Sequence, residues 1–191
     1  MLRRFASFSF TVASLLAAPA IALAGPAIAP AAPGIAADPA QTSFDQGVAD
    51  MEAGRFEKAC PAIEASQRLA PMPGTLFTLA ECEAARGRIA TAMRYYSEYL
   101  ALFRTFTAQK KLEQKERAVT STEQLRKLGL LVPRLTLTLP ADAGTDVVVK
   151  RDGEIVAELS LATALAVDPG EHVLSAQAPG GPEVEQRTAG G

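Results

Sequence analysis

The strongest constraint on this 191-residue chain is a repetition inside it. Gly54-Arg55-Phe56-Glu57-Lys58-Ala59 returns 33 residues later as Gly87-Arg88-Ile89-Ala90-Thr91-Ala92. A period of this length, with a glycine between two helical patterns and a small residue five positions on, marks a helix-turn-helix unit. Such a unit cannot bury its apolar face alone and stacks on the next copy.

Apolar spacing places four helices in the repeats. Thr42 or Ser43 can cap the first, whose Phe44, Val48 and Met51 form one stripe. The second runs from Phe56 to Leu69, with Ala59, Ile63 and Ser66 on its inner line and Pro61 taken as tolerable in its first turn. Pro71, Pro73 and Gly74 stop it. The third, Thr75 to Arg86, carries Leu76, Leu79, Ala80 and Glu83, and the fourth carries Ala92, Tyr96, Tyr99, Leu100 and Phe103.

Gly47, Gly54, Phe56, Ala59, Ile63, Ser66 and Pro71, followed by Leu76, Leu79, Ala80, Gly87, Ala92 and Tyr96, resemble a pair of tetratricopeptide repeats over residues 41–105. Ala80 stands where the second copy would have glycine, and the closing proline near Arg104 is missing. The resemblance implies a partner-binding groove on the inner faces of the first helices, lined by Phe44, Val48 and Met51 in one repeat and by Phe77 and Glu81 in the next. The same residues also suit a core, with Phe44 or Phe77 packed against the charged helix or the β-domain later in the chain.

After Thr105, Gln109 to Lys127 has no glycine or proline, and Glu113 precedes Arg117 by four as Glu123 precedes Lys127. Such pairs support an exposed helix, and a thin apolar stripe of Leu112, Val119 and Leu125 or Leu128 suits a helix that caps the stack. From Gly129 the period changes to two. Leu135, Leu137 and Leu139 alternate with threonines as in a half-buried strand. Residues 146–150 and 155–159 flank Asp152-Gly153, a tight hairpin turn. Val167-Asp168-Pro169-Gly170-Glu171-His172-Val173 turns the chain again, and strands are expected over 172–178 and 183–187. These stretches are similar to the PEGA-type β-domains of bacterial exported proteins, although the four-letter signature itself is absent. The order of parts is similar to that of exported envelope proteins of myxobacteria.

The N-terminus carries an address. Arg3 and Arg4, an apolar run and Ala22-Leu23-Ala24 before Gly25 form a secretory signal peptide over residues 1–24, cleaved between Ala24 and Gly25. Its removal takes the formal charge from −2 to −4, a balance that gives no electrostatic reason to bind nucleic acid or an anionic membrane. No later apolar run reaches the roughly 20 residues of a membrane span. Residues 25–40, with Pro26, Pro30, Pro33 and Pro39 among alanines, suit an extended tether.

In an exported chain the two cysteines are expected to pair. Cys60 and Cys82 stand at nearly equal heights on antiparallel neighbours around the Pro71–Gly74 turn, within reach of the 4.4 to 6.8 Å or so between Cα atoms that a disulfide needs. Two buried free thiols are the other reading. With one distant histidine, His172, they cannot complete a zinc site. No nucleophile elbow, phosphate loop or histidine pair is present. His172, just after a turn, suits a rim residue bonded to a neighbouring loop. Glu81 and Glu83 point to different sides of their helix, one toward the groove and one to solvent. Asp142, Asp146 and Asp152 lack the spacing of a calcium loop and suit turns.

The expected fold is thus α+β: a tetratricopeptide-like helical domain over 41–128, then a small antiparallel β-sandwich over 134–191. No catalytic residue, cofactor or metal is expected. The expected function is a non-catalytic periplasmic or envelope adaptor that holds a protein or peptide through its helices. The alternative is a structural spacer or accessory subunit whose β-domain contacts cell-wall material.

Overall fold

A computed structural model describes residues 38–190 except Asp142 and Thr145. The expected signal peptide, its expected Ala24–Gly25 cleavage point and the expected tether up to residue 37 lie outside the described residues, as does Asp142. The fold is α+β, six helices followed by antiparallel strands. The helices are α1 (Pro39–Glu52), α2 (Phe56–Leu69), α3 (Pro73–Arg86), α4 (Ile89–Thr105), α5 (Ala108–Glu113) and α6 (Lys115–Gly129). Each packs on the next in order, except that α4 packs on α6 and α5 is a short link.

The repeat reads directly in the backbone. Gly54 and Gly87 have φ of 71° and 86°, left-handed values that a side chain disfavours. They therefore mark the turns between α1 and α2 and between α3 and α4. Ala59, Ile63, Leu79, Ala80, Ala92, Tyr96 and Tyr99 are fully buried between the helices. Gly47 is where α1 and α2 come closest: a Cβ there would lie 2.5 Å from Ile63 Cγ1 and 3.0 Å from the Ile63 backbone nitrogen. Cys60 and Cys82 are bonded across α2 and α3, their Cα atoms 5.6 Å apart. Among the described residues no helix is long and apolar enough to cross a membrane.

Several boundaries differ from the sequence expectation. The first helix starts at Pro39, inside the stretch expected to be tether, because Asp38 and not Thr42 or Ser43 caps it: the Asp38 carboxylate accepts from Ala40 N, and proline occupies the first turn. Pro61 lies in the second turn of α2, not its first, and the helix continues through it with the ring exposed. The expected single charged helix breaks at Gln114 into α5 and α6, the first capped by Thr107. Glu113 therefore accepts from Gln109, and Arg117 turns inward over the Phe77 ring, 5.5 Å from its centre.

The strands are β1 (Arg134–Thr136), β2 (Val148–Arg151), β3 (Glu154–Ile155), β4 (Ala164–Ala166), β5 (Gly170–Gln177) and β6 (Glu183–Gly190). β1 pairs with β4; the other four form an antiparallel sheet in the order β3-β2-β5-β6. Asp152 and Gly153 both have positive φ, the geometry of the two-residue turn that the Asp-Gly pair favours. Three expectations are corrected. The Leu135–Leu139 strand stops at Thr136, the strand over 155–159 is two residues long and gives way to a 3-10 turn at Glu158–Ser160, and β4 was not foreseen. Leu135, Leu137, Leu139 and Leu161 face Val149, Leu174, Ala176 and Val184 across an apolar groove of about 360 Å³.

Two outcomes are expected for stability. The disulfide spans 22 residues, and replacing both cysteines by alanine is expected to remove about 3 kcal/mol, read by urea unfolding without reductant. Gly47→Ala forces α1 off α2 and is expected to cost about 1–3 kcal/mol in the same measurement.

Candidate functional site

A heavily charged cleft of about 820 Å³ lies where the β4–β5 turn meets the start of α4. Its geometry begins with a deficiency in α4. Arg88 occupies the cap position but offers no side-chain acceptor, and the first turn holds no acidic residue, so the exposed amides of a helix N-terminus want an acceptor from elsewhere. Asp168 supplies it from 77 residues away: one carboxylate oxygen accepts from Thr91 N at 2.9 Å, and the other from Thr91 Oγ1 at 2.6 Å and Arg88 Nε at 3.0 Å. Burial alone raises the Asp168 pKa, but the Thr91 and Arg88 hydrogen bonds outweigh it and hold the carboxyl below its ordinary value.

His172 extends the connection into the sheet. Its Nδ1 lies 2.7 Å from Asp152 Oδ2 in the hairpin turn, and its Nε2 lies 2.7 Å from the Asp168 carbonyl. Both partners accept, so both ring nitrogens carry a proton and the ring is an imidazolium. Burial pulls its pKa down; the Asp152 carboxylate and Asp168 carbonyl more than reverse this, and the net shift is upward. The ring is buried and not at the rim, with both nitrogens engaged and none free to act as a base. Asp152 also accepts from Val173 N at 3.0 Å, and against its partial burial the His172 contact holds its pKa down.

On the helical wall, Arg86 bridges Glu57 at 2.6 Å and Glu83 at 3.6 Å. Glu83 is buried, and its Oε2 has no hydrogen-bond partner; desolvation pushes its pKa up despite Arg86 and Arg88. It is therefore not the solvated member of the Glu81 and Glu83 pair. Glu81 accepts from the Tyr96 hydroxyl, so neither carboxylate stands free.

The expected groove residues separate into two groups. Phe44, Val48 and Met51, on α1, are all partly buried; Phe44 and Met51 pack against the core, and Val48 between them lies outside that cluster. Phe77, on α3, stacks edge-on against Tyr96 and Tyr99 at 6.2 and 5.5 Å and is covered by Arg117. Phe77 and Glu81 are thus committed to packing within the stack. Sequence reasoning missed Asp168, Thr91, Arg88 and Asp152 as a cluster. The one trace of it in the sequence is the absence of Ser, Thr, Asp or Asn at the start of α4.

No protein-family model matches the chain, and no curated protein matches it. The arrangement itself can hold charge and orient a turn, and each strong donor in it already has an acceptor.

The pH dependence is set by the signs of these shifts. A histidine raised above its ordinary 6.5 contributes stability in full below that value and loses it as pH rises through the folded value. The depressed aspartates contribute above their ordinary 3.8 and lose it as pH falls through their lower folded values. Urea unfolding is expected to show lower stability at about pH 8.5 than at about pH 5.5, and His172→Gln is expected to abolish most of that difference. Asp168→Ala is expected to cost about 1–2 kcal/mol, as loss of a helix cap does.

Proposed function

We propose that this protein is an exported, non-catalytic adaptor that holds a segment of another protein on its helical stack. The observation that carries the reading is the face of α1. Phe44, Val48 and Met51 form an apolar stripe there, all three partly buried, on a helix that among the described residues packs chiefly on α2; Phe44 and Met51 pack against the core, and Val48 is the member the core cluster leaves out. Val48 is the one member of the stripe outside the core cluster, so it is the anchor point a partner segment would take.

The helix sequence PAQTSFDQGVADME has no basic residue, and Asp45 and Glu52 are exposed beside the stripe. The partner class that fits is an amphipathic segment with two or three apolar anchors and a basic flank. The stripe covers Phe44, Val48 and Met51 but leaves Phe77 and Glu81 to the core, so the proposed surface is shorter than a groove across both repeats. Export is supported by the Cys60–Cys82 bridge, since disulfides persist in oxidising compartments.

A photo-cross-linking amino acid placed at Val48 of the full chain in living cells is expected to yield a discrete protein adduct. Val48→Asp, at a partly buried site outside the core cluster, is expected to abolish binding of the protein so identified while urea unfolding reports a folded variant. Adducts from Ile155 in β3, 73% exposed, with none from position 48, would overturn the reading in favour of a β-domain that contacts cell-wall material.

A further inference from the structure

We propose that β6 is a self-association edge, pairing antiparallel with β6 of a second copy so that the two sheets become one. The strand is eight residues long and pairs with β5 along its whole length, Glu183 with Gln177 through Gly190 with Gly170, without a bulge. Its other side has no strand neighbour and no backbone hydrogen bond among the described residues. Residues 183–187 and 189 are exposed, Val184 at 65%. A long, regular, open edge is a template for another strand, and proteins usually blunt one with proline, a bulge or an inward-pointing charge. None of these devices occurs within β6.

What remains is its charge pattern, and that pattern selects a partner. Two copies related by a two-fold axis perpendicular to the sheet keep the same residues on the same face, so a residue opposes one of its own parity. With Gln186 on the axis, Glu185 of each copy faces Arg187 of the other, Val184 faces Thr188, and Glu183 faces Ala189. A shift of the axis to residue 185 sets Glu185 against its own copy, and a shift to 187 does the same for Arg187. Like charges directly opposite destabilise a pair, so the strand's own sequence favours one register over its neighbours. Arg187 already pairs with Glu171 at 2.5 Å; in the paired sheet it stands between Glu171 and the second copy's Glu185. On the opposite face, Val184 lies at the rim of the apolar groove, and pairing covers it with the second copy's Thr188.

Sedimentation velocity over a dilution series of the full chain is expected to show a concentration-dependent dimer. Glu185→Arg sets like charges opposite one another twice and is expected to weaken association about tenfold or more; the double exchange E185R/R187E restores the opposite-charge pairs and is expected to recover it. Gln186→Cys is expected to cross-link to itself on mild oxidation, since residues on the axis lie within the separation a disulfide accepts. A monomer at the highest workable concentration, with no cross-linking by Q186C, would overturn the proposal. So would a dimer that neither charge exchange alters.

Discussion

The start of α4 lacks an acceptor, and Asp168 provides one. That contact joins the helical stack to the β4–β5 turn, because the same short segment caps Thr91, pairs with Arg88 and offers its carbonyl to His172. A helix terminus concentrates partial positive charge on its free amides, so a carboxylate held there is stabilised in its charged form. The turn that carries it is tied down in turn by an imidazolium whose second proton reaches Asp152 in the hairpin. Three segments far apart in sequence, the start of α4, residues 168–172 and the hairpin turn at Asp152, are thereby fixed by a few charge-assisted hydrogen bonds, which are shorter and stronger than neutral ones.

The helical half rests on different physics. Its core is small, built from Ile63, Leu79 and two fully buried tyrosines with alanines between them. Small residues let the helices approach closely, and Gly47 takes this to its limit against Ile63. A short stack gains less from burial than a long array does, and the Cys60–Cys82 bridge, itself fully buried in the core, adds stability by restricting the unfolded chain. The tyrosine hydroxyls still need partners in such a core. Glu81 meets the need of Tyr96, which explains why a carboxylate expected to face a ligand faces inward.

Much of the architecture was legible because it is local. The 33-residue repetition, the glycines between helices, the limits of α2 and the Asp-Gly hairpin depend on residues that are neighbours in sequence. The disulfide was legible too, since equal heights on antiparallel helices come from counting along two adjacent helices. Where local readings failed, a contact distant in sequence or a neglected cap had decided the matter. Asp38 began α1 early, Thr107 divided the charged helix in two, and the strands expected over 135–139 and 155–159 were cut short.

The sequence by itself determined that the chain forms an α+β protein with stacked helices, two cysteines within reach of each other and an antiparallel sheet, because periodicity and turn chemistry act over a few residues. Only the tertiary structure decided that Asp168 serves a helix 77 residues away, that Phe77 lies under Arg117 while Val48 stays outside the core cluster, and that β6 has a single strand neighbour among the described residues. Each of these depends on which distant surfaces come together. No pattern of neighbours along the chain encodes that, since a turn aspartate, a helical phenylalanine and a final strand have the same local sequence whether or not anything covers them.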